Sequence, residues 1–341
     1  MTQDITSACK LCGASEKEFL FSAVDLRFEI PGEFKIFRCN SCGLGFVHPQ
    51  PLPGELKRHY PESYYTHALP EKTSKEKLEG ILLNVLFRVF EGSRVNKKKN
   101  VFSRSFARLA KSIPRLRHRI ETNAFEYLRI SGGELLEIGF GNGVFLNFAL
   151  KRGYSTYGVD PDPINCDNQK NQGHNIFCGE LKVAKYSDNK FDFIRMRHVL
   201  EHVTDPADEM REIFRIQKHG GYFFLEVPNF GGLYAEIFKD TWAQLEAPRH
   251  LFHFNQENLK RFVRQSGYEV IRVTVDTQPW HLLSSMKYTM DKMNGAISES
   301  KKGSDIRLDT RVSSSLHTLS RWLASHGYGD NIIMLARKPP L

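Results

Sequence analysis

Three glycines and one aspartate between residues 134 and 161 have the spacing of a nucleoside-binding turn. An apolar run is broken by Gly139, Gly141 and Gly143, a helical pattern follows, and a second apolar run ends in Asp160. Glycines let a ligand lie against the backbone, and the free N–H groups at the start of the next helix can receive an anion. An acid at the tip of the next strand can accept hydrogen bonds from both hydroxyls of a ribose. The pattern therefore predicts a site for a nucleoside-bearing cofactor.

The glycine spacing distinguishes between nucleoside cofactors. The dinucleotide motif G-x-G-x-x-G requires a glycine where this chain has Val144, and an acid, Glu137, stands before the first glycine. The order E-x-G-x-G-x-G followed by G-V-D resembles motif I and the next strand of class I S-adenosylmethionine (SAM) methyltransferases. This resemblance implies a SAM-binding enzyme with cofactor contacts from Glu137, Gly139, Phe140, Gly141, Gly143, Asp160, Pro161, Glu180, Arg197 and His198.

Further motifs follow in the order of one methyltransferase subgroup. They are H-V-L-E-H-V-x-D-P from His198, K-x-G-G from Lys218, V-P-N from Val227 and P-R-H-L-x-H-F from Pro248. The resemblance covers roughly residues 131–275 and the last strand. It implies an α/β fold with a Rossmann-like, seven-stranded core. The last two strands are expected to form an antiparallel hairpin at 268–275 and 332–337.

The acceptor side is expected around His250 and His253. The SAM sulfonium makes the methyl group electrophilic, and a hydroxyl acceptor also needs a general base. The two histidines could supply that base, clamp the acceptor or make structural hydrogen bonds, and a histidine base is expected to lose activity as it protonates near pH 6.5. Glu201 and His202 are further catalytic candidates, because a similar Glu-His pair helps to hold a divalent ion in ubiquinone-type O-methyltransferases. The pair could instead orient the loop.

Two Cys-x-x-Cys pairs near the start predict a structural zinc site. Cys9 and Cys12 form the first pair, Cys39 and Cys42 form the second, and a glycine follows each pair, as in zinc knuckles. The alternative is two disulfides, but six cysteines in 341 residues are too few for a disulfide scaffold. We expect the metal to build a small ribbon, whose unfolding on ligand loss leaves SAM binding intact.

The expected organisation is a zinc ribbon at 1–50, a linker with a basic helical segment at 51–130, and a methyltransferase domain at 131–341. Residues 75–129 hold 14 Lys and Arg against 5 acids, a net charge of +9, which equals that of the whole chain. This segment could be a helical lid, or it could dock on anionic lipid, on a phosphate-bearing acceptor or on nucleic acid. An insert at 276–330, with Trp280, Met286, Met290 and Trp322 on helices, is expected to shape the acceptor site.

The zinc ribbon, the P-x-P turn after it and the Tyr-rich stretch Y-P-E-S-Y-Y resemble a branch linked to sugar and polysaccharide biosynthesis. This favours methylation, on oxygen, of a small-molecule, sugar or glycan-precursor acceptor, with an anionic or lipid-linked acceptor as an option. The alternatives are a nucleic-acid or protein methyltransferase, a ubiquinone-type O-methyltransferase and a non-catalytic SAM-binding scaffold. Nucleic acid ranks low, because the basic segment has few interleaved aromatic residues. The opening residues carry no apolar signal segment, which favours a cytoplasmic protein with peripheral membrane contact as an option.

Overall fold

The computed structural model describes residues 8–61, 132–295 and 310–341. All of the described residues belong to the first of two compact units of the chain. The predicted basic segment at 75–129 lies outside the described residues, so its helical structure stays a prediction. All of the elements below belong to the first unit.

Eleven strands are described. They are β1 (Lys17–Ala23), β2 (Phe34–Cys39), β3 (Gly45–Val47), β4 (Gly133–Ile138), β5 (Tyr154–Asp160), β6 (Asn175–Cys178), β7 (Phe191–Arg197), β8 (Gln217–Pro228), β9 (Phe252–His253), β10 (Glu269–Asp276) and β11 (Asn331–Arg337). The described α-helices are α1 (Pro53–Leu56), α2 (Val144–Leu150), α3 (Pro163–Gln169), α4 (Pro206–Ile216), α5 (Leu233–Phe238), α6 (Gln256–Gln265), α7 (Pro279–Met293) and α8 (Thr310–Ser325).

The larger sheet has seven strands in the order β10-β11-β8-β7-β4-β5-β6. Strands β8, β7, β4, β5 and β6 are parallel, whereas β11 is antiparallel to both β8 and β10. The predicted seven-stranded α/β sheet and its terminal hairpin are confirmed. The strand order reverses between β4 and β7, and ligands of open α/β sheets bind in the crevice outside the carboxyl ends of such strands.

Local sequence chemistry accounts for the elements around this crevice. The strands β4 and β7 are buried between layers of helices, so Leu135, Leu136 and Ile194 form part of a continuous apolar core. Helix α4 begins at Pro206, and the side chain of Asp205 caps it by accepting from the N–H of Asp208 at 3.0 Å. The sequence at 207–217 has the spacing and charge of a helix, and α4 confirms that prediction.

The K-x-G-G motif at 218–221 predicts a turn before a strand at 222–227. This prediction is wrong, because β8 begins already at Gln217. Gln217 pairs with Phe191 of β7, and the next pair along β7 is Phe193 with Tyr222, so the intervening residues form a bulge. Gly220, at φ 76°, supplies the left-handed backbone conformation within the bulge. Glycines that suggested a turn therefore mark an irregular strand.

The smaller sheet joins the N-terminal region to the rest of the unit. Its order is β1-β2-β3-β9, all antiparallel, and β9 comes from the P-R-H-L-x-H-F segment. Cys39 and Leu44 share a buried apolar cluster with Leu251 and with core residues of the larger sheet. The boundary at residue 50 stays a prediction, and the four-stranded sheet contains residues from both sides of it.

The insert contributes the two helices α7 and α8, as expected for Trp280, Met286, Met290 and Trp322. These four side chains are exposed. Residues 296–309 of the insert lie outside the described residues. Within the ranges that the structure describes, the helices are all too short or too polar to cross a membrane.

Candidate functional site

The glycine turn between β4 and α2 requires glycine for two reasons. Gly139, Gly141 and Gly143 have φ values of 68°, 52° and 66°, in the left-handed region that favours glycine. A Cβ on Gly139 would lie 2.2 Å from Cγ2 of Val199, and one on Gly143 would lie 2.4 Å from Cδ of Gln169. The turn is thus packed directly against the segment that follows β7.

Asp160 ends β5 and faces this turn. One carboxylate oxygen accepts from the N–H of Gly141 at 2.9 Å, and the other accepts from the N–H of Asp162 at 2.9 Å and from Asn165 at 3.3 Å. Burial raises the pKa of Asp160, although these donors oppose the shift. The oxygen that accepts only from Gly141 retains lone-pair capacity, so the carboxylate can still accept from a ribose hydroxyl.

Three buried oxygens near the turn lack a hydrogen-bond partner among the described residues: Oε2 of Glu137, Oδ1 of Asn165 and Oε1 of Gln169. An unsatisfied buried acceptor costs free energy, so such a set favours a ligand that brings donors. The ribose hydroxyls, adenine amine and ammonium group of SAM are donors of that kind. The residues present therefore fit the predicted cofactor chemically.

Glu137 is held by an ion pair. It is the register partner of Arg195 on β7, and the two side chains form a charge-assisted hydrogen bond. Burial raises the pKa of Glu137 to about 7, although the Arg195 guanidinium opposes this shift. A cofactor role for Glu137 stays a prediction, and it would have to use the second carboxylate oxygen.

The remaining cofactor candidates include Pro161, Glu180 and Phe140. Pro161 and Glu180 are exposed, and Glu180 pairs with Lys182 at 3.3 Å. Phe140 is buried, with its ring against Gly158, because a Cβ there would lie 2.6 Å from Cδ1 of Phe140. Their contacts with a cofactor stay predictions.

Arg197 and His198 end β7, and both contact Glu226 of β8. Nε of Arg197 donates to Glu226 at 2.8 Å, and the His198 ring lies 3.4 Å from Glu226 and 3.3 Å from Glu201. Burial alone would lower the pKa of His198, but the hydrogen bonds with Glu201 and Glu226 outweigh it and raise the pKa to about 9. His198 is therefore an imidazolium at neutral pH, in a left-handed backbone conformation at φ 51°.

Glu201, His202 and His250 form the only second cluster of metal-ligand type besides the cysteines within the described ranges. One potential ligand atom from each lies within 4.8 Å of the others, and the two imidazole rings are edge to face at 4.6 Å. We call this group the acceptor-side triad. Burial lowers the pKa of His202 and holds that of His250 well below 6.5. Both imidazoles are thus neutral at pH 7 and carry a lone pair that can accept a proton or bind a divalent ion.

The lowered pKa of His250 corrects the expectation that a histidine base here would protonate near pH 6.5. Desolvation disfavours the imidazolium, and the neighbouring His202 and His253 do not help to stabilise it. A base at His250 would remain competent well into the acidic range.

His253 is placed differently from His250. It lies on β9 opposite Gly45, 1% exposed, with its ring 5.1 Å from that of Phe230. Neither ring nitrogen has a partner among the described residues, and burial lowers the pKa of His253 to about 3. His253 lies outside the acceptor-side triad, and its catalytic role stays a prediction.

Several residues that support the triad had no recognisable signal in the sequence. The hydroxyl of Tyr60 lies 2.9 Å from Nδ1 of His202, and Tyr60 belongs to the Tyr-rich stretch that suggested only a family branch. Asp25 binds Arg249, and Gln244 binds His250 through its backbone carbonyl. Only an alignment of homologous chains could have singled out such residues before the structure.

The four predicted zinc ligands come together. Sγ of Cys9 lies 3.6 Å from that of Cys42, and Sγ of Cys12 lies 3.6 Å from that of Cys39. Four thiolates around zinc at about 2.3 Å in a tetrahedron would be separated by about 3.8 Å, so this arrangement fits. The backbone carbonyls of Cys9 and Cys39 accept from the N–H groups of Gly13 and Gly43, which closes both knuckle turns. None of the cysteines is disulfide-bonded.

Comparisons with known proteins agree with this geometry. A family model described as a methyltransferase domain matches residues 103–273, half of the chain, and begins inside the predicted basic segment. A ubiquinone biosynthesis O-methyltransferase of Pseudomonas aeruginosa is 29% identical over 155 residues, which cover 41% of this chain and 66% of the relative. A malonyl-[acyl-carrier protein] O-methyltransferase of Serratia marcescens is 24% identical over 125 residues, 36% of this chain and 48% of the relative. The chain thus spans less than two thirds of these curated relatives.

Among solved structures, a SAM-dependent methyltransferase of Thermotoga maritima, described as a possible histamine N-methyltransferase, is 20% identical with a TM-score of 0.42. The match covers 74% of this chain and 99% of the Thermotoga chain. The family match, the seven-stranded order and the glycine turn facing an acid lead to one conclusion. The chain belongs to the methyltransferase domain family.

Proposed function

We propose that this enzyme transfers the methyl group of SAM to a hydroxyl of a small-molecule, sugar or glycan-precursor acceptor. The observation that carries the proposal is the acceptor-side triad, two histidines with lowered pKa values and a buried glutamate. Its Glu201 and His202 closely follow Val199, which packs against Gly139 of the glycine turn. A hydroxyl is a poor nucleophile unless a base takes its proton, whereas many amines need no base. A neutral base beside the cofactor turn therefore favours oxygen as the methylated atom.

The cofactor half of the site is assigned to Gly139, Gly141, Gly143 and Asp160. In this proposal, the glycines lie against the methionine end of SAM and Asp160 accepts from the ribose hydroxyls. SAM supplies an electrophilic methyl group on its sulfonium. The task of the protein is to hold the acceptor oxygen in line with that methyl group and to exclude competing water.

His250 is the proposed base. As the acceptor oxygen forms its bond to the methyl carbon, the carbon–sulfur bond breaks and its electron pair stays on sulfur, while the hydroxyl proton passes to the imidazole of His250. Glu201 lies within the same triad and is positioned to stabilise the imidazolium that results. The buried, low-dielectric surroundings strengthen that interaction relative to water.

The cysteine cluster is proposed to hold one zinc ion through Cys9, Cys12, Cys39 and Cys42. With four thiolates the coordination sphere is closed, so the role is structural. The metal would stabilise the sheet that contains β9 and thereby the P-R-H-L-x-H-F segment. It would support the acceptor side without contacting the acceptor.

The acceptor class is proposed from the resemblance to sugar-biosynthetic methyltransferases, with the basic segment at 75–129 available to an anionic or lipid-linked acceptor. A cytoplasmic location with peripheral membrane contact agrees with that acceptor class. Nucleic-acid and protein acceptors remain the alternatives for the basic segment.

A second candidate is ubiquinone-type O-methylation assisted by a divalent ion. It is favoured by the triad itself, since Glu201, His202 and His250 offer three ligands within 4.8 Å of one another, and by the names of the curated relatives. A divalent ion there could polarise an acceptor oxygen. Loss of turnover on chelation, restored by Mg²⁺ or Zn²⁺ without any change in the cysteine-bound metal, would favour this candidate over a free histidine base.

The experiment that tests the proposal uses methyl-labelled SAM. Purified enzyme is incubated with cell extract, and label is followed into glycan, lipid, RNA, protein and small-molecule fractions. The proposal predicts alkali-stable label in a small-molecule or glycan fraction. Label confined to RNA or protein would contradict it.

A further inference from the structure

Two buried aspartates, Asp25 and Asp330, stand behind the two histidines of the acceptor-side triad without touching either ring. Asp25 precedes the second zinc-type knuckle in the sequence, and Asp330 directly precedes β11. Both carboxylates have 0% side-chain exposure. Each is tied to a residue whose backbone carbonyl contacts one histidine.

The first connection runs from Asp25 through Arg249 to His202. The guanidinium of Arg249, also fully buried, donates to both oxygens of Asp25 at 2.6 and 3.0 Å. The backbone carbonyl of the same Arg249 lies 3.0 Å from Nδ1 of His202. A two-point ion pair fixes the direction of the arginine and hence of its backbone.

The second connection runs from Asp330 through Gln244 to His250. The side-chain amide of Gln244 donates to Oδ2 of Asp330 at 3.0 Å and to its backbone carbonyl at 2.9 Å. Trp242 donates to Oδ1 of Asp330 at 3.0 Å, so the aspartate is anchored on both sides. The backbone carbonyl of Gln244 lies 2.8 Å from Nδ1 of His250.

A carbonyl oxygen can only accept, so in both histidines Nδ1 must carry the proton. Nε2 then carries the lone pair in each ring. The Tyr60 hydroxyl, 2.9 Å from Nδ1 of His202, lies on the same protonated side of that ring. Two separate connections therefore select the same tautomer in two neighbouring rings.

We propose that Asp25 and Asp330 are positioning residues that fix the Nδ1–H tautomer of His202 and His250 through the carbonyls of Arg249 and Gln244. The Nε2 lone pair of each ring is thereby kept available to accept a proton. Because the fixed tautomer leaves Nε2 free to take a proton, this inference rests on the proposed role of His250 in methyl transfer. The tautomers themselves can be measured without turnover.

The test is long-range ¹H–¹⁵N spectroscopy of the full-length chain labelled with ¹⁵N-histidine. His202→Gln and His250→Gln variants assign the two rings. Asp25→Asn would leave Arg249 buried without its charge partner and could prevent folding. The double variant Asp25→Leu with Arg249→Met removes both charges and keeps apolar packing, and Gln244→Met removes only the tie to Asp330.

We expect the double variant to populate both tautomers of His202, while His250 keeps Nδ1–H. In Gln244→Met, His250 should populate both tautomers, while His202 keeps Nδ1–H. Turnover should fall by roughly 10-fold or more in both, with the KM for SAM unchanged. Asp192→Asn is the matched control, because Asp192 accepts from Lys218 at 2.7 Å and from the N–H of Glu134 at 2.8 Å at the amino ends of the strands. It should leave both tautomers and turnover unaltered.

Unchanged tautomers of both histidines in folded variants would overturn the inference. A selective tautomer change with normal turnover would uphold the connection from each aspartate to its histidine. That result would remove the proposed base role of His250 instead.

Discussion

The cofactor side and the acceptor side of this site are assembled in opposite ways. On the cofactor side, Gly141 donates to Asp160, only 19 residues away in sequence. On the acceptor side, Arg249 binds Asp25 across 224 residues, and Gln244 binds Asp330 across 86. One side is a local strand–turn–helix–strand unit, whereas the other exists only after distant segments have packed together.

The two sides should therefore respond differently to substitutions and to loss of a metal. A local turn is stabilised by the parallel sheet beneath it, so changes at the N-terminal region should leave it intact. The acceptor side depends on the four-stranded sheet, on β9 and on buried charges from three parts of the chain. Lost charges or a lost metal should therefore lower turnover before they lower SAM affinity.

The largest effect is expected on removal of the zinc ion proposed for the four cysteines. Zinc sites of this type contribute apparent folding free energies of about 10–16 kcal/mol at pH 7. Cys39→Ser, or chelation of the purified protein, should disorder the four-stranded sheet and abolish turnover, while calorimetric SAM affinity persists. Cys178→Ser, a change at an exposed cysteine outside the cluster, is the control. Elemental analysis that finds no metal in protein purified under reducing conditions would refute the site.

The next largest effect is expected at Asp160. Asp160→Ala removes a carboxylate that should accept from two ribose hydroxyls, and hydrogen bonds to charged groups contribute about 1.5–3 kcal/mol each. SAM affinity should fall by about 10²-fold or more in calorimetry. Asp167→Ala, on the exposed face of the following helix, should bind normally. Equal affinity of Asp160→Ala and the unaltered chain would remove the cofactor assignment.

Most of the cofactor side could be predicted from the sequence, because its residues interact over short separations. The glycine turn, Asp160, the seven-stranded order and the terminal hairpin all follow from local patterns and from one family resemblance. The acceptor side could be predicted only in part. The motifs indicate His202, His250 and His253 alike as candidates. The sequence does not show that His253 lies on a strand, β9, that pairs with β3. Asp25, Gln244 and Asp330 carry no local pattern, since their role comes from packing alone.

A moderate effect is expected in the stability of the chain at alkaline pH. The pKa of His198 is raised from 6.5 to about 9 by Glu201 and Glu226 against the effect of burial, so its contribution to stability is fully present below pH 6.5. That contribution should be lost as the pH rises through about 9. Between pH 7 and 10, the melting temperature should fall more steeply with pH for the unaltered chain than for His198→Gln. Parallel curves would mean that the folded and unfolded pKa values of His198 are alike.

The smallest effect is expected in the acidic pH dependence of turnover. Since burial holds the pKa of His250 well below 6.5, the imidazole stays neutral and able to accept a proton from pH 8 down to pH 6. Single-turnover rates at saturating SAM should be nearly flat over this range. A free histidine with a pKa of about 6.5 would lose about fourfold in rate between pH 8 and pH 6, and such a loss would show that His250 is solvated during the reaction.

The most direct test is a single-turnover measurement with SAM-saturated His250→Ala at pH 7, alongside His253→Leu as the buried neighbour outside the acceptor-side triad. We expect His250→Ala to slow methyl transfer by ~10²–10⁴-fold with unchanged SAM affinity. His253→Leu should retain the rate of the unaltered enzyme. Equal rates for His250→Ala and the unaltered enzyme would contradict the assignment of His250 as the general base on the acceptor side of the site.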